Sequence, residues 1–112
     1  MATISPTTSE PRAKQGEVTW SGMATGDTIN PFALKDIRTA NGAIQLSGTW
    51  GGATVTAQIS NDGSTWFTLT DIYGANVSAT ANAVFEYTTG ANYMRFAISG
   101  GTSDSVTAVV TL

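Results

Sequence analysis

The sequence predicts an all-β protein: a single antiparallel β-sandwich of about eight short strands, jelly-roll-like or immunoglobulin-like, with an extended N-terminal arm. Three observations carry this expectation. Apolar residues recur at every second position in segment after segment, as they do in a strand with one face in a core. Gly, Asn and Asp cluster between those segments, where turns need them. No segment holds the i, i+3, i+4 spacing of an amphipathic helix over three turns. With 112 residues the chain can bury one modest core, and a second domain is not expected.

Residues 1–15, MATISPTTSEPRAKQ, mix two prolines, Ser, Thr and charges with few large apolar groups. They are expected to form an arm, frayed or ordered against a partner, and the sandwich is expected to span 16–112. Val18 and Trp20 alternate with polar residues in the segment from Glu17 to Met23, which reads as the first strand. Thr28 to Leu34 reads as a second, at an edge or a bend, because Pro31 cannot donate a ladder hydrogen bond. Lys35-Asp36-Ile37-Arg38, the densest charge in the chain, reads as a solvated connection.

The stretch from Gly42 to Leu69 carries the sharpest geometry. Ile44, Leu46, Gly48 and Trp50 alternate on one face, and Val55, Ala57 and Ile59 do so again after Gly51-Gly52. A two-residue Gly-Gly loop suits a tight hairpin, which requires positive φ. The expected register places Trp50 opposite Ala53, Gly48 opposite Val55, Leu46 opposite Ala57 and Ile44 opposite Ile59. Asn61-Asp62-Gly63, read as a three-residue loop, then pairs Ala57 with Phe67 and Val55 with Leu69, which buries Phe67 and turns Trp66 outward.

Beyond Leu69, residues 71–82 form an expected loop anchored by Ile72 and Tyr73. Ala83 to Thr88 is a strand apolar on both faces, with Phe85 and Tyr87 on one and Val84 on the other, which suits burial on both sides or an oligomer contact. Asn92 to Ser99 places Met94, Phe96 and Ile98 on one face, with Tyr93, Arg95 and Ala97 on the other. After a turn over 100–105, Val106, Ala108, Val110 and Leu112 continue the inward pattern, and Val109 faces out.

The chain contains no cysteine and no histidine, so disulfides, thiolate metal sites and triads of the Ser-His-Asp or Cys-His kind are excluded. The aspartates fall singly at predicted turns, and no glycine-rich phosphate loop opens a helix. No enzyme activity, cofactor or metal is expected. A net charge of -3 and a pI near 4.5 give no basic footprint for a nucleic-acid partner. The N-terminus lacks a basic segment followed by an apolar core, and no apolar run approaches membrane-spanning length, so no membrane partner is expected. Only 12% of residues are charged, so part of the surface is expected to be covered by a partner. Trp50 reads as core, and the candidate interface residues are Trp66, Tyr87, Phe32 and Trp20.

Three strings, Leu46-Ser47-Gly48-Thr49-Trp50-Gly51-Gly52-Ala53-Thr54-Val55, Ser60-Asn61-Asp62-Gly63-Ser64-Thr65-Trp66 and Tyr93-Met94-Arg95-Phe96, together with the closing Val106 to Leu112, carry a likeness to a known family. From Gly42 onward the chain resembles the small decoration, or cement, proteins of tailed-phage capsids. The resemblance implies a non-enzymatic virion structural protein on the outer capsid surface, assembled in the host cytoplasm. It also implies a homo-oligomer, often a trimer, that stabilises the shell by clamping neighbouring capsomers of the major capsid protein. Similar strings occur in carbohydrate- or receptor-binding β-sandwich modules of phage tails and fibres, which supply the alternative reading.

Overall fold

The structure is a computed structural model that describes residues 2–9, 16–34 and 40–112. Those residues form an all-β sandwich with no helix among them. Its strands in chain order are β1 (Thr3–Ile4), β2 (Thr7–Ser9), β3 (Glu17–Met23), β4 (Thr28–Ile29), β5 (Phe32–Ala33), β6 (Ala40–Thr49), β7 (Thr54–Ser60), β8 (Phe67–Thr68), β9 (Ser78–Ala79), β10 (Ala83–Thr89), β11 (Tyr93–Ser99) and β12 (Ser105–Thr111). One sheet has the order β10-β6-β12-β3-β2; the other runs β5-β11-β7-β8, with β9 also on β7. All pairings within these sheets are antiparallel, and the short β1-β4 pair is parallel.

The long strands lie where alternation placed them, and Pro31 separates two short edge pieces, β4 and β5. Residues 2–9, expected to belong to an arm, lie along the chain's own body. There β2 borders β3, β1 borders β4, and Ile4 packs against the core. The rest of the predicted arm and the Lys35–Arg38 cluster fall outside the described residues.

The hairpin expected at Gly51-Gly52 does not form. Strands β6 and β7 belong to opposite sheets: β6 pairs with β10 and β12, whereas β7 pairs with β11, β8 and β9. Ile44 and Leu46 therefore face Val55 and Ala57 across the core instead of lying beside them, although all four are buried as expected. Alternation reports which side of a strand is apolar, but a hairpin and a crossing between layers leave the same alternation. Gly51 and Gly52 do take positive φ, 53° and 87°, and the Ala53 N–H donates to the Trp50 carbonyl at 2.7 Å, so the turn is tight but it changes layers.

A later crossing, over 100–104, takes the chain from β11 to β12, and the two arches touch. The Thr102 N–H donates to the Gly51 carbonyl at 3.1 Å. A Cβ on Gly51 would run into the Thr102 carbonyl oxygen, so glycine is required there both for its φ and for the close approach. Asp104, buried behind the second arch, locks a third loop to it. Its carboxylate accepts from the Thr25 hydroxyl at 2.7 Å and from the Thr25 N–H at 3.1 Å, while the Gly101 N–H donates to the Thr25 hydroxyl oxygen at 3.0 Å.

The core is filled from both layers. Val18, Trp20, Met23, Ile44, Leu46, Tyr87, Val106, Ala108 and Val110 come from one sheet, and Val55, Ala57, Met94 and Phe96 from the other. Trp20 and Phe96 meet edge to face across it, with ring centroids 5.0 Å apart at 74°. Trp50, expected inside, is half-buried at the rim, where its indole N–H donates to Asn82 Oδ1 at 2.8 Å. Ile72 and Tyr73 do not anchor the 71–82 loop; both are exposed, and Val77 fills that role with its side chain fully buried.

Two predictions follow from the arches. Gly74 also has positive φ but nothing near its Cβ position. Gly74→Ala should cost only the left-handed strain, about 1 kcal/mol; Gly51→Ala should cost at least about twice that, because the Thr102 carbonyl must also move. Paired urea titrations read the difference, and equal losses would show that the arch contact is not tight. The second concerns acid. The Thr25 hydroxyl, followed by its N–H, holds the Asp104 carboxyl below its ordinary value. A carboxyl with a depressed folded pKa contributes stability above its unfolded pKa of about 3.9, and that contribution is lost as the pH falls through the folded value. Melting temperature should therefore decline on acidification below about pH 4, and the decline should be shallower in Asp104→Asn.

Candidate interaction surface

Asp62 sets the end of the sheet from which Trp66 is presented. Its carboxylate accepts from the Thr65 and Ser64 N–H groups, both at 2.8 Å, and from the Ser60 hydroxyl at 2.9 Å, which holds its pKa at about 2. Gly63 closes this turn at φ 77°. The loop is longer than the three residues expected, so Ile59 opposes Phe67 and Gln58 opposes Thr68. A slip of two keeps the parity of the strand, and Trp66 stays on the outer face while Leu69 stays buried. The same slip carries Phe67 to the open rim, where it is 65% exposed and not buried as expected.

On that outer face the Arg95 guanidinium lies 4.2 Å from the centre of the Trp66 ring, and its Nε–H donates to Gln58 Oε1 at 2.8 Å. Gln58 and Arg95 are direct cross-strand partners on β7 and β11, so the sheet ladder itself sets their separation. Burial lowers the Arg95 pKa. It is the single basic side chain among the described residues, and no carboxylate there pairs with it.

The other predicted interface residues divide. Trp20 is fully buried, with its indole N–H on the Asn30 carbonyl at 2.8 Å. Tyr87 is also core, and its hydroxyl donates to the Thr111 carbonyl at 2.9 Å. Neither presents a surface to a partner. Tyr87 sits on a strand with two partly apolar faces, Trp20 on the single apolar face of β3, and both aromatic sides turn inward. Phe32 is half-buried on the edge strand β5 and packs against the core.

A second patch gathers at the free side of β10, the strand whose two partly apolar faces suited burial on both sides or an oligomer contact, although Ile72 and Tyr73 were expected as loop anchors. Val84 is 63% exposed there, two residues from Glu86 on the same outer face. The Ile72 N–H donates to the Glu86 carbonyl at 3.0 Å, which brings in Ile72, 52% exposed, and Tyr73, 82% exposed. Because β10 is the last strand of its sheet, no further strand among the described residues pairs with its outer side. A shallow groove of about 320 Å³ beside Phe67 completes the exposed apolar surface, with Ile59, Ala91, Asn61, Asp62 and Thr65 along its walls.

No protein-family model matches the chain, and no curated protein sequence matches it. Among solved structures, the crystal structure of the SPBc2 prophage-derived protein YomS is similar. It aligns with TM-score 0.58 over 86% of this chain and 93% of that one, at 14% sequence identity. At this identity the likeness establishes a shared β-sandwich fold.

Burial pushes the Tyr87 hydroxyl up to about 12 from its ordinary 10.0. A spectrophotometric titration of the folded protein should therefore show a tyrosinate step near that pH, absent from Tyr87→Phe. Losing the bond to Thr111 should cost that variant about 1 kcal/mol. Amplitude lost near pH 10 instead, in Tyr87→Phe, would place Tyr87 in solvent.

Proposed function

We propose that this chain is a non-enzymatic structural protein of a bacteriophage particle, a decoration or cement protein. In this reading it binds the outer capsid surface and clamps neighbouring capsomers of the major capsid protein, assisted by association with further copies of itself, a trimer being favoured. The observation that carries the reading is the sandwich shared with a prophage-derived protein over nearly the full length of both chains. The two exposed patches support it: a guanidinium stacked on tryptophan, and an apolar sheet edge, are the kinds of surface that interfaces bury.

The physical effect of such a clamp is linkage. A protein that binds the assembled shell and not its dissociated parts stabilises the shell by RT ln(1 + [L]/Kd), about 2.7 kcal/mol at a hundredfold excess over Kd. No reaction is needed. Four aspartates, Asp27, Asp62, Asp71 and Asp104, accept from backbone N–H groups of turns and loops, which gives these carboxylates a structural purpose.

A second reading, a glycan- or receptor-binding module of a tail or fibre, has one observation in its favour. Phe67 stands exposed beside a groove lined by Asn61, Asp62 and Thr65, an arrangement in which a ring can stack and amides can bond a sugar. Trp66 suits this role less, since the Arg95 guanidinium covers one face of its ring.

Phage particles made without the protein decide between the two. The cement reading expects intact but heat-sensitive particles whose resistance returns when purified protein is added back, with labelled protein distributed over the shell in electron micrographs. Particles of unchanged heat resistance, with label at the tail tip, would replace it by the receptor-binding reading.

A further inference from the structure

We propose that copies of this chain associate head to tail, the Arg95–Trp66 site of one copy docking on the Glu86 patch of the next. This rests on the self-association included in the proposed function and names the surfaces that would perform it.

The argument begins with what Arg95 lacks. A guanidinium offers five N–H donors in a fixed fork. Here the Nε–H is held by Gln58 and one flat face by Trp66, which fixes the group in place and leaves both terminal nitrogens without a protein acceptor among the described residues. A cation so oriented has already lost most of the side-chain freedom that binding would otherwise remove, and its open donors match a carboxylate. An exposed cation–π contact contributes only about 0.5–1 kcal/mol, too little to explain the arrangement by stability alone.

The complement is on the same molecule. Glu86 is exposed on the outer face of the edge strand β10 and meets no cation among the described residues. Around it stand Val84, Ile72 and Tyr73, three of the four large apolar side chains that are exposed among the described residues. One patch is therefore a cation set on an indole, and the other a carboxylate set among aliphatic and aromatic groups. The two lie on opposite layers, so one copy cannot join them within itself. Between copies they fit in both charge and apolar character, and the apolar rim would exclude water from the ion pair and strengthen it.

The contact is heterologous, since each copy uses two different surfaces, and such contacts generate rings or open filaments instead of twofold dimers. The contact pairs the one cation among the described residues with a carboxylate, which suits self-association of a chain of net charge -3.

The test is sedimentation velocity over a concentration series with four proteins: wild type, Arg95→Glu, Glu86→Arg and the double swap. Circular dichroism confirms that each is folded. Glu86 is exposed and its side chain makes no hydrogen bond or ion pair among the described residues, so Glu86→Arg remains informative even if Arg95→Glu fails to fold. The expected result is wild-type association weakened about tenfold or more by each single reversal and restored by the double swap. Wild type that associates equally well as either reversed variant, or single losses that the double swap does not restore, would overturn the proposed interface while leaving self-association standing. A wild type that stays monomeric up to its solubility limit would overturn both.

Discussion

The sandwich depends on a single junction, the place where two arches cross between its layers and lean on each other. The chain passes between the layers at Gly51-Gly52 and again over 100–104, and the Thr102 N–H ties the later crossing to the earlier one. The two crossings join β6 to β7 and β11 to β12. Asp104 then holds the Thr25 loop against the same point, which fixes where β3 ends and so where Trp20 stands over Phe96. The aromatic contact at the centre of the core is set by backbone geometry at its end.

This junction also explains which parts of the fold were legible in the sequence. Inward and outward faces could be read correctly for β3, β6, β7, β11 and β12, because one buried face per strand leaves a period of two whatever its neighbours are. Pairing was not legible. Gly51-Gly52 satisfies the conformational demand of a hairpin and of an arch equally, since both need positive φ, and the deciding contact comes from Thr102, half a chain away. The Asp62 loop shows the milder form of the same limit. Parity survived a slip of two, so Trp66 was placed on the correct face, but depth did not, and Phe67 moved from the interior to the rim.

The interaction surface was less legible for a related reason. Trp66 could be singled out by facing alone, whereas Arg95 was visible only as an outward cation on a distant strand. Their meeting requires β7 to lie between β8 and β11, which is a fact of strand order. Tyr87 and Trp20 illustrate the opposite error. Tyr87 lies on a strand with two partly apolar faces and is ambiguous from pattern, whereas Trp20 shares the single apolar face of β3 with Val18, and both rings fill the core.

The scarcity of charge is where fold and function meet. With 12% charged residues, this chain cannot rely on a dispersed coat of ions to keep copies apart. Several of its acids are turned to other work, accepting from turn backbone at Asp62, Asp71 and Asp104. What remains on the described surface is a polar field of Thr, Ser and Asn in which one guanidinium and one carboxylate-bearing apolar edge stand out. On such a background a single complementary pair determines orientation more sharply than it would among many competing charges. In the association proposed above, the register of the contact would be set where charge and apolar area coincide on the described surface. A low-charge sandwich with one guanidinium held on tryptophan is thus suited to a fixed place in an assembly.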